Sequence, residues 1–205
     1  MSNFFISLLF AFFMVLQLYG QSDTENERLY TLTKVYGVIK YYNNDKKDAE
    51  LEKGLMNLLK NQDKYLNNDA SFNNFIATIL HPYILEKNRS GSGKSIDDLP
   101  FMPVKGTDCI VTLDFSWITS DPVLSKENKD HLNQMIALHK PVANSNIKKG
   151  NTAVHKELKG MIFEENNAGY TFMLIKYWNV INYFFVYKNL MDESWDTVLK
   201  EVIPS

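Results

Sequence analysis

Apolar residues recur at three- and four-residue steps in six stretches of this chain, the spacing of one buried helix face. Leu29, Leu32, Val35, Tyr36, Ile39 and Tyr42 make the first, opened by a possible capping box of Ser22 with Glu25. NNDKKD breaks it, and Asp48 is placed to cap a second helix with Leu51, Leu55, Leu58 and Leu59 inward. A third opens at Asp69, buries Phe72, Phe75, Ile76 and Ile79, and is expected to end before Pro82. Ser125 reads as the N-cap of a fourth, with Leu132, Met135, Ile136 and Leu138 inside and Pro141 as its stop. The last two lie together at the C-terminal end and are unusually aromatic. In one, Leu174, Tyr177, Trp178, Ile181, Phe184 and Phe185 form the stripe; Asp192 then reads as the cap of a helix with Trp195, Val198, Leu199 and Val202 on its apolar side.

Between these stretches the pattern changes. Residues 88–108 and 141–167 are polar, hold Gly, Ser, Lys and Asn, and read as linkers. Cys109 to Phe115 (CIVTLDF) carries β-branched residues with enough alternation for one strand, and Trp117 and Ile118 continue its apolar character. The expected architecture is therefore mainly α, built of helical hairpins, with at most a short β element around 109–115. Its parts run as a leader at 1–20, a helical unit at 22–87, a linker at 88–108 and a strand plus helix at 109–140. A second linker at 141–167 and an aromatic helical hairpin at 168–205 complete it.

The chain also echoes itself. TLTKVYGVIKYYN, from Thr31, aligns with MLIKYWNVINYFF, from Met173, placing Leu32 on Leu174, Lys34 on Lys176, Tyr36 on Trp178, Val38 on Val180 and Tyr41 on Tyr183. An acidic stretch and another helix follow both copies. A duplicated helical hairpin explains the match, as do two helices with similar burial needs; the shared lysine, which reads as exposed, favours duplication.

Composition narrows the function. With 205 residues and 45% hydrophobic positions the chain can build a real core. A formal charge of -2 gives nucleic acid no electrostatic footing. Phe4 to Tyr19 is an apolar run broken only by Ser7 and Gln17, as in the core of a signal peptide, with Gly20–Gln21 as a tolerable cleavage point. This predicts export, to periplasm, cell envelope or medium; an uncleaved membrane anchor is the alternative. Cys109 is the only cysteine, so no intramolecular disulfide is expected.

Candidate chemistry is sparse. His81, His131, His139 and His155 include no pair three or four residues apart, so no helical metal pair is expected. NRSGSGKS, within the first linker, lacks the leading glycine and preceding strand of a phosphate loop. Ser116 has neither the glycine-flanked turn nor the nearby base of a hydrolase nucleophile. No catalytic residue, metal ligand or cofactor is expected.

YWNVINYFFVYKNLMDESWDTVLKEVIP, near the C-terminal end, resembles the segment preceding the protease domain in many bacterial serine peptidases of the C-terminal-processing (tail-specific) and tricorn-core family. RLYTLTKVYGVIKYYN, Arg28 to Asn43, resembles the opening helix of those proteins, and LDFSWI, Leu113 to Ile118, their central segment. The resemblance implies a protease domain after Ser205, carrying the family's serine and lysine; no counterpart of those motifs occurs here. On that footing the chain is expected to be a non-catalytic N-terminal module that packs against a protease domain or shapes substrate access. The alternative is an independent exported protein that binds peptide or glycan. Tyr41, Tyr42, Lys176, Tyr177, Trp178, Asn182, Tyr183 and Phe184 form the candidate interaction surface, because so many adjacent aromatics cannot all face one core.

Overall fold

A computed structural model describes residues 24–42, 48–84, 113–138, 164–185 and 190–203. These residues are mostly helical, in eight helices with no strand among them. In chain order they are α1 (24–42), α2 (Asp48–Lys60), α3 (Gln62–Tyr65), α4 (Asp69–Ile84), α5 (Ser116–Ser120), α6 (Lys126–Leu138), α7 (Asn167–Phe184) and α8 (Trp195–Val202). The expected leader, the linker at 88–108, most of the linker at 141–167 and residues 109–112 lie outside the described residues. Leu113 to Phe115 form no strand, and Trp117 and Ile118, which continue their apolar character, lie in α5.

The first helix is the axle of the fold. Its predicted stripe is buried as expected, but so is every residue from Thr31 to Ile39. A helix buried all round must satisfy its polar side chains internally, and α1 does so along its length. Arg28 donates to the Leu66 carbonyl at 2.5 Å and pairs with Asp69 at 2.8 Å. Thr31 donates to Asp121 at 2.7 Å. Lys40 reaches Glu52 at 3.0 Å. One apolar core takes side chains from every described segment, with α2 packed on α7 and α4 on α6.

The two echoing helices, α1 and α7, cross at equivalent positions. Gly37 aligns with Asn179, and these two residues touch: a Cβ at position 37 would overlap the Asn179 carboxamide oxygen. Asn179 donates to the Thr33 carbonyl at 2.9 Å. Tyr41 and its counterpart Tyr183 pack with their rings tilted by 42° and centres 4.5 Å apart. The aligned lysines are both buried, not exposed as read from sequence, and each pairs with the following helix of the other hairpin. Lys34 meets Asp196 of α8 at 2.7 Å, and Lys176 meets Glu52 of α2 at 2.8 Å. A pseudo-two-fold arrangement of two hairpins accounts for all of these contacts.

Several helix boundaries move from where the pattern placed them. Asn68, not Asp69, caps α4, accepting from the Ser71 N–H at 2.8 Å, which leaves Asp69 for Arg28. Ser194, not Asp192, caps α8, accepting from the Thr197 N–H at 3.0 Å. Helix α4 continues through Pro82 to Ile84: the ring sits in the last turn, where a missing N–H removes one bond only. Leu80 is fully buried there, whereas Ile79 is half-buried. Ser125 caps α6 as expected, accepting from Asn128 at 3.3 Å. Along α8, Ile203 is buried and Val202 turns outward.

Candidate functional site

The residues from Leu113 to Trp117, the elbow before α8, Lys34 of α1 and the last turn of α7 enclose a cleft of about 520 Å³. Its first wall is set by Asp114. The carboxylate accepts from the Ser116 N–H at 2.8 Å, turning the chain into α5 and fixing Phe115 and Trp117 on either side. That bond, with a contribution from the Ser116 side chain, holds Asp114 below the usual aspartate range. Phe115 is steadied from behind by an edge-on contact with Tyr42 at 4.9 Å.

The opposite wall is DESWD, Asp192 to Asp196, carried at the start of α8. Two tryptophans fix its position. Trp178 of α7 donates its indole N–H to the Trp195 carbonyl at 2.9 Å, and Trp195 returns the bond to the Trp178 carbonyl at 3.0 Å. Their rings lie nearly parallel, 7° apart in plane, with centres separated by 6.4 Å. This reciprocal clasp joins the two helices of the hairpin, and explains why tryptophan, a donor on a large apolar ring, occupies both places.

Lys34 lines the cleft from α1. Its ammonium sits 2.7 Å from Asp196, 3.2 Å from the Tyr30 hydroxyl and 4.7 Å above the Trp117 ring. Tyr30 also donates to Asp196 at 3.1 Å; burial first, then the Asp196 charge, keeps its phenol protonated far above the ordinary range. The remaining carboxylates of the wall, Asp192 and Glu193, are exposed and form no ion pair with a described residue.

Five of the eight candidate surface residues, Tyr41, Tyr42, Asn182, Tyr183 and Phe184, come together at this cleft. Tyr41 packs at a tilt against Tyr183 and meets Phe184 edge-on at 5.1 Å, while Tyr42 lies 6.2 Å from Tyr183. Tyr183 and Asn182 line the cleft itself. Lys176 and Trp178 do not belong to any surface: they are 4% and 1% exposed, spent on Glu52 and on the tryptophan clasp. Tyr177 is 55% exposed and lies apart from the cleft.

Of the stripe drawn along α7 from sequence, only Trp178 is taken fully by the core. Phe172, Ile175, Trp178 and Val180 are buried, whereas Leu174, Ile181 and Phe184 are half-buried and Tyr177 and Phe185 exposed. Tyr170, Met173, Leu174, Tyr177 and Ile181 form a second apolar stripe at helical spacing on the outer side of α7. The helix is apolar on two faces, and periodicity alone selected the outer one.

Lys34, Asp114, Trp117, Asp192, Glu193 and Asp196 are cleft residues that sequence reasoning passed over. Aromatic and acidic residues do alternate in LDFSW and DESWD, but only the fold brings the two segments face to face. Among the described residues no cluster of His, Cys, Asp and Glu is placed to hold a metal ion. No family model, no curated protein and no solved structure matches this chain.

Proposed function

We propose that this chain is a non-catalytic, exported helical module that packs against a second protein surface, that of the protease domain of a C-terminal-processing-type serine peptidase. The observation that carries this reading is the second apolar stripe of α7, with Tyr170 and Tyr177 more than half exposed on a helix whose inner face is already committed to the core. Leaving a large aromatic side chain such as Tyr177 in water on an apolar helix face is unfavourable, and a covering partner offsets that cost. The partner's identity is drawn from the family resemblance of the segments at Arg28, Leu113 and Tyr177, and the apolar run at 4–19 supports export.

The test is photo-crosslinking in the producing cell from an unnatural side chain at position 177. The expected product is a covalent adduct with a peptidase domain, lost when the label is moved to exposed Glu201 on α8. A purified chain that sediments as a clean monomer, binds no apolar dye and yields no adduct from position 177 would sink the proposal.

The cleft favours the second reading, an independent exported binder of peptide or glycan, since aromatic walls beside polar groups are common to both kinds of site. Parallel titrations with peptide and oligosaccharide libraries separate the two ligand classes.

A further inference from the structure

We propose that the cleft between Asp114–Trp117 and Asp192–Asp196 is a recognition site for the cationic side chain of a peptide segment, an arginine guanidinium or a lysine ammonium. The inference rests on the cleft alone and stands independently of the docking surface on α7.

Charge points to the sign of the ligand. Among the described residues, four carboxylates, Asp114, Asp192, Glu193 and Asp196, line the cleft against a single ammonium, Lys34. Lys34 is already neutralised by Asp196 at 2.7 Å, so the field left at the mouth is negative. The ordinary chain charge of -2 makes this local concentration a feature of the cleft rather than of the whole surface. An anionic ligand would meet repulsion there.

The walls point to an organic cation rather than a metal ion. The carboxylates are spread along two segments and do not converge as a metal-binding set. Between them stand Phe115, Trp117, Tyr183 and Trp195. Aromatic faces attract cations electrostatically, and a desolvated ammonium or guanidinium gains from ring and carboxylate together. Lys34 shows that the cleft already stabilises such a group, holding an ammonium between the Trp117 ring and Asp196. The volume, about 520 Å³, suits one long side chain with its flanking backbone.

Two tryptophans in the walls provide the readout. The full exported chain is titrated with acetyl-Ala-Arg-Ala-amide, following tryptophan fluorescence and heat, and in parallel with the isosteric neutral citrulline peptide and with butylamine. Saturable binding of the arginine peptide is expected, with the citrulline peptide weaker by about tenfold or more. The double variant Asp192→Asn, Glu193→Gln should weaken the arginine peptide by about tenfold while leaving the circular dichroism unchanged, since both side chains are exposed. Tyr177→Ser, on the outer face of α7, should leave it unaltered. Equal binding of the arginine and citrulline peptides, or no saturation with either, would overturn the proposal. Butylamine binding as tightly as the arginine peptide would overturn its peptide part and assign the cleft to free small amines.

Discussion

Gly37 and Asn179 touch at the point where α1 crosses α7, and no side chain at position 37 fits without moving the carboxamide. Asn179 is fully buried and holds both helices, donating to the Thr33 carbonyl of α1 and to the Ile175 carbonyl of its own helix, each at 2.9 Å. Gly37→Ala is therefore expected to destabilise the chain by roughly 1–3 kcal/mol, although alanine is the better helix former. Urea unfolding of the two proteins measures the difference; a neutral or stabilising alanine would mean that the crossing adjusts freely.

The crossing also shows what sequence could convey. The apolar stripes of α1 and α2 were legible in full because helix periodicity records burial directly, as at Leu51, Leu55, Leu58 and Leu59, all buried, whereas on α7 the same periodicity selected mainly the outer face. The internal match was legible as well, and two of its aligned pairs, Gly37 with Asn179 and Tyr41 with Tyr183, turn out to meet. The polar interior was not. Lys34 and Lys176 look like solvated lysines in sequence, because nothing local reveals that Asp196 and Glu52 lie opposite them. For the same reason the cleft was invisible: its two walls are separated by more of the chain than any motif spans, and only tertiary packing makes them neighbours.

Glu52 carries an unequal share of the buried charge. It accepts from Lys176 at 2.8 Å and Lys40 at 3.0 Å, both nearly buried, with the Tyr36 hydroxyl at 3.4 Å. Glu52→Gln takes the carboxylate from Lys176, whose side chain is 5% exposed, and should cost roughly 3 kcal/mol. Asp196→Asn, at a carboxylate 47% exposed, should cost about 1 kcal/mol. Denaturant midpoints at neutral pH rank the two variants.

The same glutamate sets a pH dependence. Burial pushes its pKa up, but the hydrogen bonds and charges of Lys176 and Lys40 together outweigh burial and hold it below the ordinary value of 4.5. The unfolded chain thus binds the proton more readily. The stabilisation is complete above about 4.5 and is lost as pH falls from there through the folded value. Unfolding curves from pH 7 to 3 should fall more steeply for the native chain than for Glu52→Gln.

At alkaline pH the tyrosines act in the opposite sense. Burial pushes Tyr42 up to about 12, and burial, reinforced by the charges of Tyr42 and Tyr41, raises Tyr183 well above its ordinary value of 10.0. These phenols contribute stability that is complete below about 10 and is lost as pH rises through the folded values. The phenolate absorbance should show a late component, which disappears on unfolding in urea.

Asp121 connects the cleft to the axle of the fold. It is buried, accepts from the Thr31 hydroxyl at 2.7 Å, and accepts from the N–H groups of Val123 and Leu124 at 2.9 Å each. These bonds turn the chain from α5 into α6 and press the α5 segment, with Trp117, onto α1. Asp121→Ala leaves two backbone donors and a hydroxyl without their acceptor, at a cost of about 2 kcal/mol. Because α5 has only five residues, its position depends on this tie more than on its own helicity. Difference fluorescence between the chain and its Trp117→Phe variant, each with and without Asp121→Ala, reports the segment directly. The expected result is a red shift and greater quencher access with Asp121→Ala at temperatures where the chain remains folded; an unchanged spectrum would show that apolar packing alone holds the wall.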